Sequence, residues 1–172
     1  MKCNTLLAVL VVAAAAAGCT QDNPAGAEPV PGSGAFLSRE HHSAAVNQQL
    51  AAVRQATVQF RHMSEAELLA RGYVNTGICI EGMGIHFVDF GAIDGMVDPL
   101  RPEVLVFEPK PHGRLQLVAV EYMALGAASP TVFGRTMEES HLPFADSELH
   151  AWVWKGNPAG TFHATNPTVS CP

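Results

Sequence analysis

The chain has few basic residues, and this shortage excludes one class of function before any motif is considered. Ten Lys and Arg stand against 16 Asp and Glu in 172 residues, which gives a net charge of −6 at pH 7. Nucleic-acid binding needs a basic surface, so we expect no nucleic-acid partner. The sequence also contains no Gly-x-Ser-x-Gly elbow, no phosphate-binding glycine loop and no dinucleotide fingerprint. It therefore gives no support for nucleophilic catalysis of that type or for nucleotide binding.

Long apolar runs are also scarce, and the longest one lies at the N-terminus. Lys2 precedes an apolar stretch from Leu6 to Ala17, which is shorter than the roughly 20 residues that cross a bilayer. Such a stretch is typical of a cleaved signal peptide. It ends in Ala16-Ala-Gly-Cys19, which resembles a bacterial lipoprotein signal. We expect a lipid on Cys19 that anchors the protein to a membrane of the bacterial cell envelope, facing the periplasm or the exterior. An ordinary secretory signal cut at residues 15–17 is the alternative.

The four cysteines fit an extracytoplasmic protein. Cys3 leaves with the signal peptide and Cys19 takes the lipid, so Cys79 and Cys171 remain. Two leftover cysteines in an oxidising compartment favour one disulfide, here between positions 92 residues apart. Two free buried thiols are the alternative.

The chain is predicted to divide into a signal peptide (1–18), a flexible tether (19–37) and a single α+β domain (38–172). The tether is rich in Pro, Gly and Ala. An amphipathic helix is expected after Ser38, because apolar residues then recur at helical spacing: Val46, Leu50, Val53, Thr57 and Phe60. Ser64 and Glu67 form a capping-box pattern, which predicts a short second helix from Glu65 that ends at Gly72.

Beyond Gly72 the pattern changes to strands. Five segments are rich in β-formers: Tyr73–Ile80, Ile85–Phe90, Glu103–Glu108, Leu115–Leu125 and Leu149–Lys155. Helices followed by strands indicate an α+β fold, with the N-terminal helix packed on a mainly antiparallel sheet. The long connection Gly126–Ser147 is expected to be a functional loop or lid.

Parts of the chain resemble a family of uncharacterised secreted bacterial proteins. The resemblance rests on GYVNTGICIEGMGIHFV, PEVLVFEP, LVAVEYM and LHAWVWKGNPAGTFHATNPTVSC. These segments carry a Gly-Met-Gly-x-His element and a closing Leu-His-x-Trp-x-Trp…Asn-Pro…Cys block, and they span roughly Tyr73 to Cys171. The resemblance implies one folded unit and the cysteine pair, and it brings no established activity. His41-His42 and Glu138–His141 are not features of that family.

Three polar residues inside apolar strands are candidate metal ligands. His86 follows two glycines that permit close backbone approach. His150 shares a strand with Trp152 and Trp154, and alternation places these three side chains on one face. Glu121 ends the apolar run Leu117–Val120, where a carboxylate is costly unless it is paired or bound to metal. Two histidines and a carboxylate are a common ligand set for one divalent zinc, iron, copper or manganese ion. The alternative is a sheet with satisfied buried polar groups.

Further residues are expected near this site or away from it. If His112-Gly113 is a tight turn, Pro111 faces Arg114, and Glu108 opposes Leu117 and shares the face of Glu121. His141 reaches the site if the long connection folds over it. The histidines expected at the surface or at caps are His41, His42, His112 and His163.

Three functions remain open at this point. The first is a module that binds a metal ion or a small ligand through His86, Glu121 and His150. The second is a metal-dependent enzyme that uses the same residues, with Glu108 or His141 as an acid or base. The third is an envelope interaction protein without a metal site, which binds a protein partner.

Overall fold

The structure is a computed structural model that describes residues 40–126, 128–140 and 142–172. The predicted signal peptide, the tether, Ser38 and His141 lie outside the described residues. The described residues all belong to one compact unit, Leu37–Pro172. No helix among them is both long enough and apolar enough to cross a bilayer.

The first helix, α1, spans Ala44–Thr57. The side chain of Ser43 caps it by accepting a hydrogen bond from the Val46 N–H at 3.2 Å. Its buried residues are Leu50, Val53 and Thr57. A 3₁₀ turn, Val58–His62, continues the chain and buries Phe60.

The second helix, α2, spans Glu65–Leu69, and its predicted capping box is confirmed. The Ser64 side chain accepts from the Glu67 N–H, and the Glu67 carboxylate accepts from the Ser64 N–H at 2.8 Å. The chain leaves this helix through Gly72, whose φ of +94° lies in the left-handed region that favours glycine.

Eight strands follow in the described part of the chain, and every pairing between them is antiparallel. Six strands form one sheet in the order β1-β2-β3-β4-β8-β7, and β5 and β6 form a separate pair. The mainly antiparallel sheet in a single domain with few helices is confirmed. The strands are β1 Val74–Ile80, β2 Gly84–Val88, β3 Val104–Lys110, β4 Arg114–Ala124, β5 Thr131–Val132, β6 Arg135–Thr136, β7 Glu138–Glu139 and β8 Ser147–Ala151.

The inner strands of the large sheet, β2, β3, β4 and β8, are largely buried on both faces. On one face, Leu105 and Tyr122 belong to the same apolar cluster as Leu50 and Val53 of α1. The opposite face holds a second, smaller cluster, which contains Val88, Val104, Val106, Ala119, Met123 and Trp152. The candidate ligands lie on this second face, because they alternate with residues of the first cluster along their strands.

The last strand is shorter than predicted, and this changes the position of Trp154. Strand β8 ends at Ala151, and the Trp152 N–H donates to the Thr161 carbonyl at 2.9 Å instead of to a strand. Beyond Ala151, successive side chains therefore no longer alternate between the two faces of the sheet. Trp154 turns toward α1 and donates from Nε1 to Thr57 Oγ1 at 3.0 Å. The predicted common face of His150, Trp152 and Trp154 is therefore wrong for Trp154.

The register of the β3–β4 hairpin also differs from the expected one. Glu108 lies opposite Gln116, and Lys110 lies opposite Arg114. The expected pairings of Glu108 with Leu117 and of Pro111 with Arg114 are therefore wrong. The connection is a 3₁₀ turn, Pro111–Gly113. At a second place, between Val106 and Phe107, an irregularity shifts the register of the two strands.

The predicted disulfide between Cys79 and Cys171 is confirmed, with the two Cα atoms 5.8 Å apart. It joins β1 to the end of the C-terminal tail. Backbone hydrogen bonds hold the same tail against the β1–β2 turn. The Asn166 N–H donates to the Gly82 carbonyl at 2.7 Å, and the Gly82 N–H donates to the Val169 carbonyl at 3.2 Å.

We predict that the double variant Cys79→Ser/Cys171→Ser is less stable than the wild type by about 4–5 kcal/mol, because the disulfide closes a long loop in the unfolded chain. Urea denaturation of both proteins measures the difference. The reduced wild type serves as the control and should match the variant. Mass spectrometry that finds both thiols free in secreted protein would contradict the prediction.

Glu103, a buried acid directly before β3, makes the free energy of unfolding depend on pH. This residue is 2% exposed, and its carboxylate accepts a hydrogen bond from the Met123 N–H at 3.1 Å. Burial raises the pKa of Glu103 to about 7, against hydrogen bonds that lower it. The folded state therefore holds this proton more tightly than the unfolded state. The resulting stabilisation is complete below the ordinary pKa of 4.5 and is lost as the pH rises through 7.

We predict that Glu103→Gln removes this dependence while keeping a side-chain oxygen that can accept from Met123. The free energy of unfolding of the wild type should fall relative to that of the variant by about 2–3 kcal/mol between pH 4.5 and pH 8. Urea denaturation across this pH range tests the prediction. Glu139→Gln, a change at an exposed strand position, is the control. Parallel stability curves for Glu103→Gln and the wild type would contradict it.

Candidate metal site

Three strands bring the predicted ligands together. Glu121 on β4 lies directly opposite His150 on β8. His86 lies on β2, which is separated from β4 by β3 alone. The three side chains share one face of the sheet, and they form the group of potential ligands found among the described residues.

The distances within the group are short. Glu121 Oε2 lies 3.5 Å from His86 Nε2, and Glu121 Oε1 lies 3.5 Å from His150 Nδ1. One ligand atom from each residue can be chosen so that all three lie within 4.8 Å of one another. The residues are 7% (His86), 1% (Glu121) and 3% (His150) exposed. This buried His/Glu/His group can hold a metal ion.

The two 3.5 Å separations match metal ligation better than hydrogen bonding. A hydrogen bond between an imidazole and a carboxylate spans roughly 2.7–3.2 Å between the heavy atoms. Two ligands that each lie about 2.1 Å from a tetrahedral ion are about 3.4 Å apart. Glu121 Oε2 and His150 Nε2 have no hydrogen-bond partner within the described part of the chain. Buried polar atoms normally have one, so Glu121 Oε2, which faces His86, is free to bind an ion.

Burial also sets the protonation of the group. It raises the pKa of Glu121 well above 4.5, and the nearby Glu148 raises it further. It lowers the pKa of His86 to about 4. The pKa of His150 falls to about 3 through burial and the proximity of His86. Both imidazoles are therefore neutral near pH 7, which is the form that binds a metal ion.

The glycine-rich turn before β2 explains how His86 reaches this position. Gly84 has a φ of +105°, and a Cβ there would collide with the Phe107 carbonyl oxygen of β3. Glycine thus allows β2 to start directly against β3. Two residues further on, His86 pairs with Val106 and projects onto the face of the smaller cluster.

A cavity of about 360 Å³ adjoins the three ligands. The β1 strand contributes Ile78 and Ile80 to its wall, and the predicted loop contributes Leu142 and Phe144. Its remaining lining residues are Thr76, Met83, Val88, Met123 and Glu148. Two residues of the loop thus line the cavity, while His141 itself lies outside the described residues.

Glu108, the other expected neighbour of the site, belongs to a separate cluster. Its carboxylate accepts from Lys155 at 2.8 Å and from Lys110 at 2.5 Å, and it does not line the cavity. The Lys155 ammonium also donates to the Thr168 carbonyl. Burial acts to raise the pKa of Glu108, but the hydrogen bonds from the two lysines outweigh it and keep the pKa below its usual value. This cluster ties the tail to the sheet.

The remaining histidines of the prediction lie away from the ligands. His41, His112 and His163 are exposed, and His42 is half-buried with its Nε2 2.9 Å from Thr161 Oγ1. Two polar wall residues, Thr76 and Glu148, were missed by the sequence analysis. The sequence did carry a signal for Glu148. Its position two residues before His150 on the same strand was a usable signal, because residues i and i+2 share a face.

No protein-family model, curated protein or solved structure matches this chain. The functional interpretation therefore depends on the geometry of the site and on the sequence.

Proposed function

We propose that this protein is a lipid-anchored extracytoplasmic domain that binds one transition-metal ion through His86, Glu121 and His150. The observation that carries the proposal is the convergence of these three side chains, buried and within 4.8 Å of one another, on three strands of one sheet. An isolated buried carboxylate is costly, and a bound cation offsets that cost.

The donor set narrows the choice of ion. Two imidazole nitrogens and one carboxylate oxygen suit zinc, iron, copper or manganese, whereas calcium and magnesium prefer a shell of oxygen atoms. Three protein ligands also leave at least one coordination position open. Since the ligands adjoin the cavity, an open position there can accept water or a small molecule.

Metal-dependent catalysis at the same site is the second candidate. The cavity favours it, because catalytic metal sites keep an open position beside a space for substrate. Glu148 lines this cavity, and Ser140 Oγ donates to its Oε2 at 2.7 Å. A carboxylate in this place can orient a water molecule or a ligand near the ion.

The lipid anchor and the envelope location rest on the N-terminal sequence. A short apolar stretch, Leu6–Ala17, leads into Ala16-Ala-Gly-Cys19, and a polar, Pro- and Gly-containing segment follows. The Cys79–Cys171 disulfide supports an oxidising compartment outside the cytoplasm. The resemblance to secreted bacterial proteins over Tyr73 to Cys171 agrees with this proposal.

The metal site is tested on the full chain, purified without a histidine tag. We expect elemental analysis to find about one equivalent of a transition metal after loading with zinc, copper, ferrous iron or manganese. Glu121→Gln preserves the size of the side chain and removes its charge. It should weaken metal binding by more than the roughly 10–100-fold that loss of an outer-shell partner costs. His86→Ala and His150→Ala should act in the same direction.

The control for these variants is His62→Ala, which removes an exposed histidine on the 3₁₀ turn after α1. It should bind metal like the wild type. Circular dichroism of each metal-free variant separates loss of ligand from loss of fold. A wild-type protein that stays metal-free and shows no thermal shift with any of the four ions would refute the proposal. An interaction protein without a metal site would then be the better description.

The anchor is tested by cell fractionation. Cys19→Ser should move the protein from the membrane fraction to the soluble fraction, or leave it unprocessed, because it removes the thiol that takes the lipid. Cys3→Ser is the matched control, since this residue lies in the predicted signal peptide and should not affect membrane attachment. If wild-type protein is entirely soluble and its N-terminus precedes Cys19, the lipoprotein assignment fails.

A further inference from the structure

We infer that the cavity beside His86, Glu121 and His150 binds a small, uncharged, mostly apolar molecule that coordinates the ion through one oxygen atom, as the carbonyl group of an aromatic ketone does. This inference rests on the proposed metal site and specifies its ligand. The cavity volume of about 360 Å³ lies at the lower end of the roughly 300–1,000 Å³ that is usual for small-molecule sites.

The walls select for an apolar ligand. Ile78 and Ile80 form one side, and Leu142 and Phe144 form another. Apart from the three metal ligands, the side chains with polar groups in the described lining are Thr76 and Glu148, and Glu148 already accepts a hydrogen bond from Ser140. A sugar or a peptide would leave many of its polar groups unpaired in such a cavity, which is costly.

Two lining residues favour an aromatic ring over an aliphatic chain. Met83 and Met123 contribute thioether side chains to the wall. Sulfur atoms make favourable contacts with aromatic rings, and methionine adapts its shape to an irregular partner. Phe144 adds an aromatic surface to the lining, against which a second ring can pack edge to face.

The charges of the cavity favour a neutral ligand. The carboxylates of Glu121 and Glu148 together offset the charge of a divalent ion, and no Lys or Arg lines the cavity in the described residues. A carboxylate ligand would bring a third negative charge into a poorly hydrated space without a cation to receive it. A neutral ligand with one coordinating oxygen avoids that cost.

Part of the apolar lining is exposed to solvent. Ile78 and Ile80 are 64% and 42% exposed, although both also line the cavity. Phe90 is half-exposed too, and it packs edge to face on the lining residue Phe144, with ring centroids 5.2 Å apart. Exposed apolar residues in and next to a cavity lining are typical of a ligand-binding surface.

The experiment uses the full chain loaded with Co²⁺, whose visible absorption spectrum reports changes in coordination. Acetophenone, a neutral ketone of about the size of benzoate, should change the spectrum and bind at least about tenfold more tightly than benzoate at pH 7.5, because benzoate carries the extra charge. Thr76→Trp places a large side chain at an exposed lining position. It should weaken acetophenone binding about tenfold or more and leave the affinity for Co²⁺ within about threefold.

Val74→Trp is the matched control, because Val74 is exposed on the same strand and does not line the cavity. It should bind both Co²⁺ and acetophenone like the wild type. If Co²⁺ binds but acetophenone leaves its spectrum unchanged, or benzoate binds as tightly as acetophenone, the inferred ligand class is wrong and the metal site stands. Equal acetophenone affinity in Thr76→Trp and the wild type also overturns it. Failure of Co²⁺ to bind overturns the proposed function itself.

Discussion

The antiparallel pairing of β3 with β4 is the constraint on which the site depends. Strand β4 is buried from Leu117 to Ala124, so both of its faces are covered. Tyr122 packs in the cluster that includes α1, and its neighbour Glu121 faces the cavity. A slip of one residue would exchange these two side chains between the faces. Pairing of β4 with β8 then sets Glu121 opposite His150, so the register decides whether the three ligands meet at all.

The ligands lie on strands, whereas part of the cavity wall lies on the long loop, and this division suits a binding site. Ladder hydrogen bonds hold the backbone of each ligand, and the His150 ring stacks on Trp152 with centroids 6.1 Å apart. Side chains fixed in this way lose little further freedom when they bind an ion. Leu142 and Phe144, by contrast, lie between β7 and β8, where a loop can adjust to different occupants more easily than a strand.

Strand alternation and burial were enough to select His86, Glu121 and His150 from the sequence, because a polar residue within an apolar strand needs a partner. The same reasoning failed wherever the backbone departs from regular geometry. The three-residue turn Pro111–Gly113, which pairs Lys110 with Arg114, displaced Glu108 from its expected partner. The end of β8 at Ala151 redirected Trp154. Such departures depend on contacts between segments distant in the chain, such as the bond from the Trp152 N–H to the Thr161 carbonyl, which no local pattern contains.

Three buried glutamates of this sheet region show how differently the fold provides for a carboxylate. Glu108 receives two lysine ammonium groups, and Glu103 receives the Met123 N–H. Among the described residues, the nearest polar partners of Glu121 are two neutral imidazoles, each 3.5 Å away and too far for an ordinary hydrogen bond. Lysine or a backbone amide would satisfy a purely structural acid, as it does at the other two positions. An imidazole N–H can also donate to a carboxylate, but neither ring lies at ordinary hydrogen-bond distance here, and imidazoles bind metal ions well. The partners given to Glu121 therefore favour a ligand over a structural role.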